Sequence, residues 1–143
     1  MASAPDAQAG SVSKLDCVMS VGVRGKARLS LFRHLAPLTV NAMVRALPLL
    51  SRVSLQPAMI SLFGDLKVGV EKPKKSFAKG DVAYLASGGL VCIFVKDALS
   101  DRPLNPIGKV EEGIDLFEAM RLGEVVRIDP PSVPTAPQGS LGS

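Results

Sequence analysis

The chain has 143 residues, of which 47% are hydrophobic and 21% are charged, a balance that excludes a chain disordered throughout. No apolar run approaches the roughly 20 residues of a membrane helix, so we expect a soluble protein with no membrane partner. The net charge of +4 is too small to indicate a nucleic-acid-binding protein by itself. Two cysteines and one histidine exclude a zinc module built from these residues, and no glycine-rich phosphate-binding motif is present. The sequence therefore predicts neither a metal nor a cofactor.

Composition divides the chain into one domain and two tails. Residues 1–13 are rich in Ala, Ser, Gln and Gly, and residues 130–143 are rich in Pro, Gly and Ser. Neither segment can bury enough apolar surface to offset the entropy lost on ordering, so we expect two flexible tails around a domain at 14–129. Residues 1–13 also lack the basic start and apolar run of a secretory signal, which predicts a cytoplasmic protein.

The first predicted elements are a hairpin and a helix. Leu15–Val23 is rich in β-forming residues and Lys26–Phe32 alternates apolar with polar residues, which predicts two strands joined at Arg24-Gly25. Pro37 suits the first turn of a helix, and apolar residues recur at helical spacing after it. We therefore expect a helix over Pro37–Leu47.

Short strands dominate the rest of the predicted domain. Runs of β-forming residues predict them at Arg52–Leu55, Met59–Phe63, Lys67–Val70, Asp81–Leu85, Leu90–Val95, Ile107–Val110 and Glu124–Ile128. A polar stretch at Glu71–Gly80 and a loop at Lys96–Pro106 separate some of them, and Gly113–Leu122 is consistent with a short helix. About eight strands with two helices predict a mainly β protein with a closed or nearly closed barrel.

The two cysteines lie in apolar, strand-like runs. Cys17 and Cys92 are therefore expected to be reduced, buried thiols. A disulfide remains open for a protein from a hyperthermophile, where intracellular bridges occur. A catalytic cysteine would need a histidine partner, and the lone His34 is more typical of a solvated or capping residue.

Two segments of the chain resemble the cyclophilins. Residues 107–120 resemble the strand Phe-Gly-Lys-Val that leads through Gly-Met-Asp into a short helix, and Gly113 and Asp115 suit the start of that helix. Ser51–Val53 followed by Met59–Asp65 is similar to the strand pair that carries the cyclophilin arginine. The predicted helix lies before both segments, as it does in that family.

A closer resemblance is to a small prokaryotic family of cyclophilin-like domains. Its members carry Gly-Asp-Val-Ala-Tyr, then Leu-Cys-Ile-Phe-Phe, then Ile-Gly-Lys-Ile, and this chain has Gly80–Tyr84, Leu90–Val95 and Ile107–Val110 at the corresponding spacing. The resemblance implies a closed eight-stranded cyclophilin-like β-barrel with two short helices. It implies a fold more firmly than an activity, because function in that family is poorly defined.

The resemblance also implies a ligand groove on the side of the barrel. In the cyclophilins an apolar pocket holds a proline ring and an arginine stabilises the twisted amide, so catalysis is differential binding. Arg52 matches the arginine and Met59 the pocket methionine, although one extra residue separates them. Ser61 falls where the cyclophilins have a glutamine, and either Ile93 or Phe94 falls at the pocket phenylalanine.

Two aromatic positions of the cyclophilin pocket are not matched. The tryptophan and histidine positions fall near Leu99 and Leu104, and the chain has no tryptophan. We therefore predict a domain that binds a small ligand or an extended, proline-containing peptide in a groove formed by Arg52, Met59, Ser61 and Phe94. The alternative is a weak peptidyl-prolyl isomerase with Arg52 as its catalytic residue. A purely structural role for these residues, as surface arginine and core packing, also stays open.

Two basic segments favour a third, weaker interpretation. Arg24, Lys26 and Arg28 project to one side of the first hairpin, and Lys67–Lys79 contains five lysines. Phosphate or nucleic-acid binding is one use of such residues. Because no aromatic residues are interleaved for base stacking, solubility and protection of sheet edges are the favoured roles. The sequence makes no prediction of oligomeric state.

Overall fold

A computed structural model describes residues 14–131, so the predicted tail at 1–13 and nearly all of that at 130–143 lie outside the described residues. Within that range the elements are β1 (Lys14–Val21), β2 (Gly25–Phe32), α1 (Pro37–Ala46), β3 (Leu49–Leu55), β4 (Met59–Phe63), β5 (Lys74–Phe77), β6 (Asp81–Leu85), β7 (Leu90–Phe94), β8 (Ala98–Glu112), α2 (Ile114–Glu118) and β9 (Val125–Ile128). Neither helix in the described part has the length and apolar character needed to cross a membrane.

Eight of the strands close into a barrel. The order is β2-β1-β9-β3-β4-β7-β6-β8, and β8 pairs with β2 to complete the circle, with all neighbouring strands antiparallel. The remaining strand, β5, pairs with the first half of β8 and adds to the outside of the barrel. The prediction of a mainly β, closed eight-stranded barrel with two short helices is confirmed.

The seam between β2 and β8 depends on one glycine. Leu31 lies opposite Gly108 across this seam. A Cβ atom at Gly108 would collide with the backbone carbonyl oxygen of Ser30, so the two backbones approach more closely than any side chain allows. Gly108 therefore permits the pairing that closes the barrel.

The barrel interior holds most of the buried apolar side chains, which we call the inner core. Strand alternation directs them inward, and representative members that are fully buried are Met19, Leu29, Leu62, Ile93, Ile107 and Ile128. The helices add Val40 and Met43 from α1 and Phe117 from α2.

Helix α1 has no capping side chain at its own N-terminus, and a distant carboxylate supplies the cap. Glu71 accepts hydrogen bonds from the backbone N–H groups of Leu38 and Thr39, at 2.9 and 2.8 Å, and from the Thr39 hydroxyl at 2.7 Å. Asn105 on β8 accepts from the Glu71 backbone and donates to the Thr39 hydroxyl. Burial raises the pKa of Glu71, but the hydrogen bonds from Thr39 and Leu38, together with Lys72, outweigh it and lower that pKa overall.

Three sequence predictions about strands and loops are wrong. Lys67–Val70 is not a strand, because Lys67 has a positive φ of 58° and its N–H donates to the Asp65 side chain in a local turn. The polar stretch Glu71–Gly80 contains β5, and the predicted loop Lys96–Pro106 forms most of β8. Pro103 and Pro106 are typical of a loop, but both lie where the pairing of β8 with β5 or β6 shifts register. Proline lacks a backbone N–H, and a strand tolerates this at such irregularities.

Candidate ligand-binding groove

The outer face of β4, β7 and β6 carries a second apolar cluster, which we call the outer layer. Its buried members are Phe77, Ala83, Cys92, Phe94 and Leu104, and the partly buried Met59, Leu85, Leu90 and Ala98 pack against them. Alternation explains the placement, since Ile60 and Leu62 on β4 point inward while Met59 and Ser61 point outward. This barrel therefore has apolar residues on both sides of one part of its wall.

Strand β5 and the first half of β8 cover the outer layer. The ring of Phe77 on β5 stacks on that of Phe94 on β7, with the centroids 4.6 Å apart and the planes 10° from parallel. Phe94 is only 2% exposed as a result. The cover is incomplete, and beside it lies a small cavity.

We call this cavity the side groove. It has a volume of about 280 Å³ and is lined by Gln56, Met59, Leu85, Leu90, Ser100, Asp101, Arg102 and Leu104. The Arg102 guanidinium donates a 3.3 Å hydrogen bond to the Ser87 hydroxyl, and the Arg102 N–H donates to the Ser100 hydroxyl. The groove therefore combines apolar walls with one guanidinium, one amide and one carboxylate.

The structure brings three of the four predicted groove residues together. Met59 lines the side groove, and Phe94 lies opposite it in the β4–β7 ladder but beneath Phe77. Ser61 is 2% exposed, and the Gln56 side-chain amide donates to its hydroxyl at 3.5 Å. Of the two alternatives for the pocket phenylalanine, Phe94 faces outward and Ile93 belongs to the inner core.

Arg52 does not join this group. It is exposed on the outer face of β3, opposite Val125 of β9, and it is not among the residues that line the side groove. Within residues 14–131 its guanidinium makes no hydrogen bond or ion pair, and only its backbone carbonyl accepts a side-chain hydrogen bond, from the Ser51 hydroxyl. The structure thus leaves a guanidinium in the groove, but from Arg102 rather than Arg52.

Sequence reasoning missed Arg102 because it assigned residues 96–106 to a loop. On β8, Ala98 and Leu104 pack in the outer layer, and Ser100, Asp101 and Arg102 between them line the side groove. The sequence gives no alternation that would reveal this placement, because residues 98, 100, 102 and 104 are a mixture of apolar, polar and charged types. Of the positions matched to the missing aromatic residues, Leu104 is buried in the outer layer and Leu99 is 80% exposed.

Both cysteines are free and buried, one on each side of the barrel wall. Burial, with smaller contributions from Asp16 and Asp129, raises the pKa of Cys17 in the inner core to about 12. Burial raises the pKa of Cys92 in the outer layer to about 11, and the hydrogen bond with Ser61 opposes it. Neither thiol is a nucleophile at neutral pH in the folded protein.

The basic hairpin is largely neutralised by its neighbours. Arg24 forms a bidentate pair with Glu124, with donor–acceptor distances of 3.1 and 2.9 Å. Arg28 donates to Glu112 at 3.0 Å and lies 3.8 Å from Asp16. Residues 14–131 contain no group of three or more His, Cys, Asp or Glu side chains placed to hold a metal ion.

A closed antiparallel barrel that carries two short helices and an apolar groove on its outer wall defines the cyclophilin class of fold. The family model described as "Cyclophilin-like" matches residues 17–129, and the chain belongs to that family. The solution structure of a hypothetical protein from Archaeoglobus fulgidus has a similar fold, with a TM-score of 0.67 and 23% sequence identity over 82% of this chain and 95% of that one. None of the curated proteins compared with the sequence matches it.

Proposed function

We propose that this cyclophilin-like domain binds an extended peptide in the side groove and inserts one apolar side chain into the cavity. The observation that carries the proposal is the meeting of apolar walls, formed by Met59, Leu90 and Leu104, with the polar side chains of Gln56 and Arg102 in one cavity. Small-molecule sites are mostly apolar with a few convergent polar groups, and the side groove has that composition.

The size of the cavity favours a peptide over a larger organic ligand. Its volume of about 280 Å³ lies just below the range typical of pockets that enclose drug-sized molecules, about 300–1,000 Å³. One apolar side chain fits such a cavity while the peptide backbone remains outside it. Met59 suits this role because its flexible thioether adapts to different side chains.

The polar groups at the groove are donors that a peptide backbone can use. The guanidinium of Arg102 has five N–H groups, and the amide of Gln56 has two, so both can donate to peptide carbonyl oxygens. The hydrogen bond to Ser87 holds the Arg102 side chain beside the cavity before a ligand arrives. Such preorganisation lowers the entropy lost on binding.

Fluorescence polarisation with a labelled succinyl-Ala-Leu-Pro-Phe peptide tests this proposal. We expect saturable binding to the full chain, weakened about tenfold by Arg102→Ala because a hydrogen bond from a charged donor is lost. Arg45→Ala is the matched control, since Arg45 is exposed on α1 and far from the lining residues in sequence. Absence of saturable binding, or equal affinity of the Arg102→Ala and Arg45→Ala variants, would overturn the proposal.

Prolyl isomerisation is the second candidate, and the guanidinium beside Met59 is the observation that favours it. An isomerase must lower a barrier of about 18–20 kcal/mol by binding the twisted amide more tightly than the planar one. A protease-coupled assay with Ala-Pro and Leu-Pro peptides measures this directly. Loss of activity in Arg102→Ala supports isomerisation in the side groove. Loss of activity only in Arg52→Ala supports catalysis by the arginine that matches the cyclophilin position. A rate for the unmutated protein equal to the uncatalysed background removes this candidate.

A further inference from the structure

An apolar cavity lies on the outer face of β9, between its neighbours β1 and β3. Its volume is about 520 Å³, compared with about 280 Å³ for the side groove. We call it the β9 slot, and its lining residues are Ser20, Gly22, Val23, Leu50, Gly123, Glu124, Val125 and Arg127. The two cavities share no lining residue, so the β9 slot is a separate feature of the barrel wall.

The apolar side chains of the β9 slot are open to solvent. Val23, Leu50 and Val125 are 104%, 63% and 37% exposed, and Leu122, just before the slot residue Gly123, is 75% exposed. A Cβ atom at Gly123 would meet no atom within 4 Å, so there is free space beside these side chains. Apolar surface collected in one exposed place is typical of an interaction site.

The charged residues of the β9 slot are paired within the described part of the chain. Glu124 accepts the bidentate pair of hydrogen bonds from Arg24, and Arg127 forms a 2.6 Å ion pair with Asp129. Arg52 on β3 flanks the slot but does not line it. The lining therefore offers an incoming group no unpaired charge, and it suits an uncharged apolar side chain.

The chain itself supplies an uncharged segment close to the β9 slot. Residues 132–143 carry no charged side chain, and Leu141, between a serine and a glycine, is their largest apolar residue. The segment follows β9, the strand that runs along the slot. Asp129 is about 13 Å from Val125 along the strand, whereas the twelve residues from Asp129 to Leu141 can span about 40 Å. Leu141 can therefore reach the slot after the chain reverses direction.

We propose that residues 132–143 fold back over β9 and insert the Leu141 side chain into the β9 slot. Leu141 would cover Val23, Leu50 and Val125 and remove their apolar surface from water. A short tether gives the segment an effective concentration on the order of mM at the slot, so a contact too weak to hold a free peptide is populated within one chain. This contact does not depend on peptide binding in the side groove.

Paramagnetic broadening of amide NMR signals in the full-length chain tests the proposal. A nitroxide is attached at Ser140→Cys, beside Leu141, and the native thiols stay unlabelled because both are buried. We expect the strongest broadening within the described part of the chain at Gly22 and Gly123, and weak broadening at Arg102 in the side groove. Broadening spread evenly over the barrel, or centred on the side groove, would overturn the proposal.

Two matched variants of the barrel identify the contact. Leu50 and Phe63 are 63% and 64% exposed, but only Leu50 lines the β9 slot. Leu50→Asp is expected to weaken the contact about tenfold because apolar burial is lost, which lowers a half-populated contact, and the broadening with it, about fivefold. Leu141→Asp is expected to have the same effect, and Phe63→Asp is expected to have none. Equal broadening in the Leu50→Asp and Phe63→Asp variants would contradict the proposal.

A mixed sample distinguishes folding back within one chain from binding to a second copy. The nitroxide is placed on one population of chains and the isotope label on another, so that only contacts between chains cause broadening. We expect no broadening at Gly22 and Gly123 in this sample. Broadening as strong as that in the doubly labelled chain would mean that the segment binds a neighbouring molecule, and the proposal would fail.

Discussion

The inner core and the outer layer lie on opposite sides of the same strands, and they depend on different parts of the sequence. The inner core joins strands in which inward-facing and outward-facing residues alternate regularly, and the β2–β8 seam closes it. The outer layer exists only where β5 and the first half of β8 cover β4, β7 and β6. The barrel is therefore specified by local alternation, whereas the groove is formed by segments whose structure depends on what they cover.

The largest expected effect concerns closure of the inner core. Gly108→Ala places a methyl group against the Ser30 carbonyl, so the β2–β8 seam must separate, and we expect a loss of at least about 4 kcal/mol of unfolding free energy. Gly69→Ala is the matched control, because a Cβ at Gly69 meets no atom within 4 Å, and we expect a change below about 0.5 kcal/mol. Urea unfolding followed by circular dichroism measures both. Similar values for the two variants would mean that the seam tolerates displacement.

The next effect isolates the outer layer. Phe77→Ala removes the ring that stacks on Phe94 and uncovers the layer, and we expect a loss of about 3 kcal/mol. Phe63→Ala provides the comparison, because Phe63 is 64% exposed on the same sheet and its truncation should cost less than about 0.5 kcal/mol. Thermal and urea unfolding would report the difference. A small effect of Phe77→Ala would show that β5 adds little to the stability of the barrel.

The smallest effect compares the two cysteines in the unmutated protein. Because burial raises the pKa of both thiols, to about 12 for Cys17 and about 11 for Cys92, both are protonated at pH 8 and react only when the structure opens. If the outer layer opens without the barrel, iodoacetamide should modify Cys92 at least about tenfold faster than Cys17. Mass spectrometry of the digested protein measures the two rates, with labelling in urea as the control for intrinsic reactivity. Equal native rates would mean that both clusters open as one cooperative unit.

The strands around the inner core are predictable from the sequence, whereas the segments that cover the outer layer are not. Alternation in Lys26–Phe32 and the apolar run at Leu90–Val95 located strands of the barrel because their side chains face a continuous interior. β5 escaped prediction because three of its four residues are exposed, and only Phe77 is buried. The first half of β8 escaped because Pro103 is a strong loop signal, and its bulges follow from tertiary pairing that a sequence pattern does not contain.

The candidate site was predictable in part for a related reason. The outward placement of Met59, Ser61 and Phe94 follows from strand alternation once the barrel is assumed: Met59 and Phe94 lie in the outer layer, and Ser61 lies opposite Cys92 of that layer. Whether Phe94 faces an open pocket depends on Phe77, which belongs to a strand that had not been predicted. Arg102 reaches the side groove through the same unpredicted strand region, so neither the cover nor the polar side of the groove was accessible from local patterns.

The position of β9 in the barrel has a consequence for synthesis of the chain. β9 is the last strand within residues 14–131, yet it lies between β1 and β3, and the pair between Arg24 and Glu124 joins residues 100 positions apart. β1 and β3 therefore each lack one of their two neighbours until Val125–Ile128 has left the ribosome. Until then β1 and β3 each present an unpaired edge, and strands exposed in this way associate with other chains. A nascent chain of this protein cannot complete its barrel strand by strand, because the gap between β1 and β3 closes only after β9 has emerged.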